Sequence, residues 1–186
     1  MVMEVDNVRI RQAMHEASHI VVAINMGFSA YAELFIEPQT YVREGMEVSD
    51  VFGETKVLSI PDKLPSEENW ITFAYAPIAY AIVTGLLEQR GKELSDTANG
   101  SSAFYVGQGD LIDINHRLEK MPISKKHRFQ VRDRCLRKAQ KIIRENINEV
   151  ENIAEELLTS NKTPILKLKD GIINEVIVGN LIPQAS

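Results

Sequence analysis

Residues 15–24 read His-Glu-Ala-Ser-His-Ile-Val-Val-Ala-Ile, so two histidines and a carboxylate lead straight into five apolar residues, Ile20 to Ile24. A helix with no polar position over such a run is buried on several sides, and the rest of the chain has to wrap around it. Asp6 has the residue type of an N-cap, apolar periodicity carries the helix to Met26, and Gly27 supplies a stop. Two imidazoles and a carboxylate in that setting cost free energy unless something satisfies them, and a metal ion would do so. Given the four His and eighteen Glu of this chain, a His-Glu-x-x-His string arises by chance in roughly one chain in a hundred.

The spacing carries specific chemistry. Residues four apart on a helix share a face, so His15 and His19 can offer ring nitrogens to one metal ion. Glu16 stands beside the first of them, set off from the metal yet able to hold a water bound to it. Zinc lowers the pKa of such a water toward neutrality, and the carboxylate can take its proton during attack on a carbonyl and return it to the leaving amine. A catalytic zinc has three protein ligands, so a third is owed. Asp110, after a Gly-rich stretch and at the start of a helix, is best placed; Glu88, Asp96 and Asp113 are alternatives, while His116 and His127 read as surface or capping histidines.

With 186 residues, 44% of them apolar and 25% charged, the chain reads as one domain, 1–186, with a sizeable core. A net charge of −5 argues against nucleic acid and anionic membrane as partners. The eight Lys and Arg between residues 125 and 141 alternate with apolar positions at helical spacing and read as a solvated helix face. A lone cysteine, Cys135, and no secretory leader point to a reducing cytoplasm. Residues 70–87 are uncharged for eighteen positions, but Pro77, Gly85, two tyrosines and two threonines mark a core helix rather than a membrane span, and no membrane anchor is expected.

These patterns give a mainly α (α+β) fold. β-Branched and aromatic residues at 31–36 and 51–60 predict two strands of a small antiparallel sheet. Residues 61–65 form a turn, and Ser66 caps a helix reaching about residue 89, with Glu67 and Glu68 in its first turn. Residues 91–109 form a long loop expected to border a substrate cleft. A helix runs from near Asp110 to about Glu119, Pro122 breaks it, residues 125–160 form one long helix, and Thr163-Pro164 opens a short last one. The strand at 31–36 is expected to accept an extended peptide on its edge.

The stretches "HEASHIVVAINMG", "AELFIEP", "VFGETKVL", "APIAYAIVTG" and "GQGDLIDINHRL" together resemble the zinc peptidase domain of FtsH-type ATP-dependent proteases. The resemblance covers about residues 8–168 and is most specific at the zinc motif. It implies zinc held by His15, His19 and Asp110, with Glu16 as general base, in a metalloendopeptidase domain. Ser18 stands where the family has glycine, and Ala76-Pro77 and Tyr80-Ala81 stand near its Gly-Arg and paired acidic residues. No Gly-x-x-x-x-Gly-Lys phosphate loop occurs, so the expected substrates are flexible or unfolded polypeptides, or a separate unfoldase partner is needed. The family's six-fold rings imply self-association as a homo-oligomer. Two rival readings are a catalytically inactive zinc-stabilised regulatory or binding module, and a metal-free helical interaction protein.

Overall fold

The computed structural model describes residues 2–58, 66–87 and 107–175. Among them are six helices and a four-stranded antiparallel sheet, as expected of a mainly α (α+β) chain. Helix α1 (Val2–Asn25) runs through the centre and packs on α2 (Glu67–Ala74), α3 (Ala76–Val83), α5 (Lys125–Glu145) and α6 (Ile147–Ser160). It also packs on strands β1 (Ser29–Arg43), β2 (Met46–Leu58) and β3 (Leu166–Lys169). Every residue from Ala17 to Ile24 is buried, which is why the helix can carry an unbroken apolar run. It starts at Val2, upstream of the expected cap at Asp6, because residues 2–5 contain no Gly or Pro to stop it.

Helix α1 ends as expected, and the end is well specified. Gly27 adopts φ 89°, its N–H bonds the Ile24 carbonyl at 3.0 Å, and the Phe28 N–H bonds that of Ala23 at 3.1 Å. This is the paired Schellman arrangement, and Phe28 follows it into the core. The chain then turns into β1 directly over the helix it has just left.

The sheet order is β2-β1-β3-β4, with β4 at Ile172–Glu175. Strands β1 and β2 are longer than their apolar cores predicted, because a Glu44-Gly45 turn, both residues at positive φ, lets the hairpin continue beyond the body. Its inner half alternates buried and half-buried residues, whereas residues 37–43 are all exposed. Pro38 sits in the register shift between Leu34 and Gln39, where no ladder donor is needed. The edge of β1 expected to take a peptide is occupied: Leu34 N–H donates to the Asn161 carbonyl at 2.7 Å, and Ala32 exchanges bonds with Thr163. Among the described residues, the outer edge of β2 has no strand beside it.

Three expected helices are corrected. The uncharged stretch is two helices joined at Tyr75, because Pro77 has no N–H to continue the ladder and its ring would clash with the carbonyl four residues back. The helix expected over 125–160 breaks at Asn146, whose side chain donates to the Ile142 carbonyl at 2.8 Å in place of a regular backbone turn. No last helix follows Thr163-Pro164; Leu166–Glu175 is a hairpin turning at Asp170-Gly171, both at positive φ. Thr163 is held by β1 and is not free to cap a helix.

Two other expectations stand, the cap of α2 and the exposed basic face of α5. Ser66 caps α2 by accepting from Asn69 N–H, with Glu67 and Glu68 in the first turn. Most of the basic residues of α5 are exposed, opposite a buried line of Val131, Cys135, Leu136, Ala139 and Ile143. No described helix is long and apolar enough to cross a membrane. The turn expected at 61–65 and residues 91–106 of the expected loop lie outside the described residues.

Replacing Gly27 by alanine puts a Cβ on a left-handed residue and should lower the unfolding free energy by about 1–2 kcal/mol. Urea denaturation measures it. A loss under about 0.5 kcal/mol with unchanged m-value would mean that the Schellman turn relaxes without cost.

Candidate metal centre

His15 and His19 project from one face of α1, and Asp110 reaches them from the first turn of α4 (Gln108–Lys120). The Nε2 atoms of the two histidines lie 3.2 Å apart, Asp110 Oδ2 is 3.2 Å from His15 Nε2, and it is 3.4 Å from His19 Nε2. For metal–ligand bonds near 2.05 Å, tetrahedral geometry separates neighbouring ligand atoms by roughly 3.3 Å. All three measured edges fit that triangle.

The tautomers sharpen the fit. His19 Nδ1 lies 3.0 Å from the Phe73 carbonyl oxygen, which can only accept, so Nδ1 carries the proton. With that proton in place, the neutral form of His19 would point a bare Nε2 lone pair at the carboxylate and at His15. Lone pairs facing each other at these distances in a buried site repel, and a cation at their centre relieves every pair at once. Protonated histidines would supply the same compensation: burial acts to raise the Asp110 carboxyl, but the charge of a protonated His19 and hydrogen bonds from His15 and His19 outweigh it and hold it well below the usual carboxylate range. It stays in the anionic, ligating form.

Several neighbours explain how the triangle forms. Pro77 cannot donate to Phe73 O, the carbonyl four residues back, and His19 uses that oxygen instead. The Phe73 ring lies against the His19 ring, centroids 4.4 Å apart. Gly107, the N-cap of α4, leaves room that a side chain would fill: a Cβ there would stand 2.8 Å from Asp110 Oδ2 and 3.1 Å from His15 Cε1.

The tip of the β1–β2 hairpin fixes the outer face of α4. Arg43 Nη1 pairs with Asp113 Oδ2 at 3.1 Å and crosses Gly109 so closely that a Cβ there would meet it at 3.0 Å. One turn on, His116 Nε2 lies 2.8 Å from a Glu44 carboxylate oxygen, an ionic contact outside hydrogen-bond alignment. Residues 109, 113 and 116 thus face the hairpin while Asp110 faces the histidines.

Glu16 is 2% exposed and is held on both oxygens. Gln12 Nε2 donates to Oε1 at 2.6 Å, and the Thr55 hydroxyl lies 2.7 Å from Oε2 and 3.1 Å from the Glu16 carbonyl. Strand β2 comes this close only because residue 53 is glycine; a Cβ there would meet Glu16 Cγ at 3.0 Å.

The structure thus brings together His15, His19 and Asp110, with Glu16 on the adjoining position of α1. The alternative ligand Asp113 is turned to Arg43, His116 to Glu44, and His127 caps α5 with Ser124. Glu88 and Asp96 lie outside the described residues. Ala76 and Tyr80, near the family's polar positions, are buried, and the Tyr80 hydroxyl reaches the Met14 sulfur at 3.4 Å. The sequence reading does not reach Gln12, Thr55, Gly53 and Gly107; a Gly-x-Thr in a predicted strand and a glycine three residues before Asp110 are the available signals.

No protein-family model matches the chain, and no curated protein matches it. The resemblance therefore rests on the motifs themselves.

Gly107→Ala tests the triangle with a methyl group. It should weaken zinc binding at least about tenfold, by pushing Asp110 and His15 apart, while leaving the thermal unfolding of zinc-free protein nearly unchanged. Chelator competition against the native chain measures this, and unaltered affinity would show that the ligands need no such room.

Proposed function

We propose that the chain is a cytoplasmic zinc metalloendopeptidase acting on flexible or unfolded polypeptides, with His15, His19 and Asp110 as ligands and Glu16 as general base. The observation that carries this reading is the triangle of ligand atoms with edges of 3.2 to 3.4 Å beside a buried carboxylate. Zinc bound there supplies a Lewis acid for the scissile carbonyl and a water of near-neutral acidity.

The remaining work falls to the chain's own groups. Glu16 accepts the proton of the attacking water as the new C–O bond forms, then delivers it to the amide nitrogen as the C–N bond breaks. His19 is kept in its ligating tautomer by the Phe73 carbonyl. Strand β2, whose outer edge carries no strand among the described residues, passes Glu16 at Gly53 and Thr55, so an extended peptide adding to that edge would be delivered beside the base. Strand addition demands an extended chain, which is why the substrate class is unfolded polypeptide. Self-association and a separate unfoldase partner, both implied by the resemblance, would extend the activity to folded substrates.

A second reading has one observation in its favour: Ala76 and Tyr80 occupy positions where the family carries polar residues. It makes the chain a zinc-stabilised regulatory module without catalysis.

Metal analysis paired with cleavage of an unfolded fluorogenic protein separates the two. The expected outcome is stoichiometric zinc, zinc lost or weakened in Asp110→Ala, and zinc retained in Glu16→Gln with kcat lowered about 10²- to 10⁴-fold. Bound zinc with equal turnover in native and Glu16→Gln protein would move the conclusion to the regulatory module. Protein without zinc affinity would overturn both.

A further inference from the structure

Glu16 is an unusual carboxylate within α1. It is almost wholly buried, yet its two nearest polar partners come from different elements, Gln12 one turn earlier on the same helix and Thr55 from β2. Each carboxylate oxygen receives one donor, at 2.6 and 2.7 Å, which fixes the plane of the group and leaves each oxygen one further acceptor direction. The Thr55 hydroxyl has a single proton and two oxygens of the same residue within reach, the carboxylate at 2.7 Å and the main-chain carbonyl at 3.1 Å. The shorter contact is to the charged oxygen, so that is where the proton goes. Thr55 thereby ties the side chain of Glu16 to the strand that passes over it.

We infer that Thr55, assisted by Gln12, is a positioning residue that orients the Glu16 carboxylate for proton transfer and restrains it from swinging toward the neighbouring metal ligands. This rests on the peptidase reading for its chemistry. Its geometric basis is independent: two donors from two elements, and a glycine at 53 that lets the strand approach. A buried base left with only Gln12 has a rotamer to choose, and a carboxylate beside a cation chooses ligation over base chemistry. Holding it back is a separate task from holding the metal.

The experiment compares native protein with Thr55→Val, Thr55→Ser and Glu16→Gln, all zinc-loaded. It reads kcat and KM on an unfolded fluorogenic protein, zinc content, and the dissociation constant of acetohydroxamate by calorimetry. Acetohydroxamate chelates zinc and passes its proton to an adjacent carboxylate, so it reports the position of Glu16 without turnover. Thr55→Val should keep its zinc and a KM within about twofold, lose about ten- to a hundredfold in kcat, and bind acetohydroxamate about tenfold more weakly. Thr55→Ser, which restores the hydroxyl, should restore both. Native kcat and native acetohydroxamate affinity in Thr55→Val would overturn the inference. So would a loss that comes with zinc loss or that Thr55→Ser leaves unrepaired, since that is the mark of a structural role. If native and Glu16→Gln proteins cleave equally, the peptidase reading fails by itself. Acetohydroxamate affinity that still depends on Thr55 and Glu16 then upholds the positioning role, and affinity indifferent to both overturns it.

Discussion

Three lone-pair donors converging in a buried space is the constraint on which the rest of this structure depends. His15, His19 and Asp110 come within 3.4 Å of one another, and the proton on His19 Nδ1 is committed to the Phe73 carbonyl. A fold that left such a cluster uncompensated would lose several kcal/mol to desolvation and repulsion. A cation at the centre would turn the same cluster into a staple between α1, which runs through the core, and α4, whose packing is mainly on α2. The metal binding proposed for the cluster would at the same time close the fold on that side.

The surrounding elements read as consequences. The break at Pro77 shortens the helix that packs on α1, and in doing so frees the carbonyl that sets the tautomer of His19. The hairpin of β1 and β2 extends past the body and grips α4 through Arg43 and Glu44, so Asp110 is fixed from behind as well as from its own helix. These exposed ion pairs contribute little individually, about 1 kcal/mol or less. Their effect is on orientation: with residues 109, 113 and 116 against the hairpin, the next helical face can only point toward the histidines.

Much of this was legible in the sequence, and the misses share a cause. The helix carrying His15, Glu16 and His19 and its stop at Gly27 follow from local rules, because spacing on a helix and a left-handed glycine need no tertiary information, whereas Asp110 is favoured by its place after a Gly-rich stretch and by the family resemblance. The errors came where a local signal was outvoted by the period of the apolar residues. Pro77 and Asn146 were read through as parts of longer helices although each carries its own reason to stop one. The Leu-Lys-Leu-Lys alternation followed by Asp170-Gly171 is a strong hairpin signal that the Thr163-Pro164 pair obscured. Thr55 and Gln12 had no local signal at all, because their role exists only once β2 lies across α1.

Glu16 is what separates a catalytic reading from a structural one. A site built only to hold α4 against α1 needs the three ligands and nothing at position 16 beyond an apolar residue, which in this packed helix would be the more stable choice. Instead the chain buries a carboxylate there and surrounds it with an amide, a hydroxyl and a glycine that admits the neighbouring strand. A structural clip needs none of those features, and together they are what the proposed base requires, a carboxylate held in place without joining the ligands. The same strand that supplies Thr55 offers the unpaired edge for an extended chain. On the peptidase reading, the grip on the base and a route for substrate would both arise from a single element, β2.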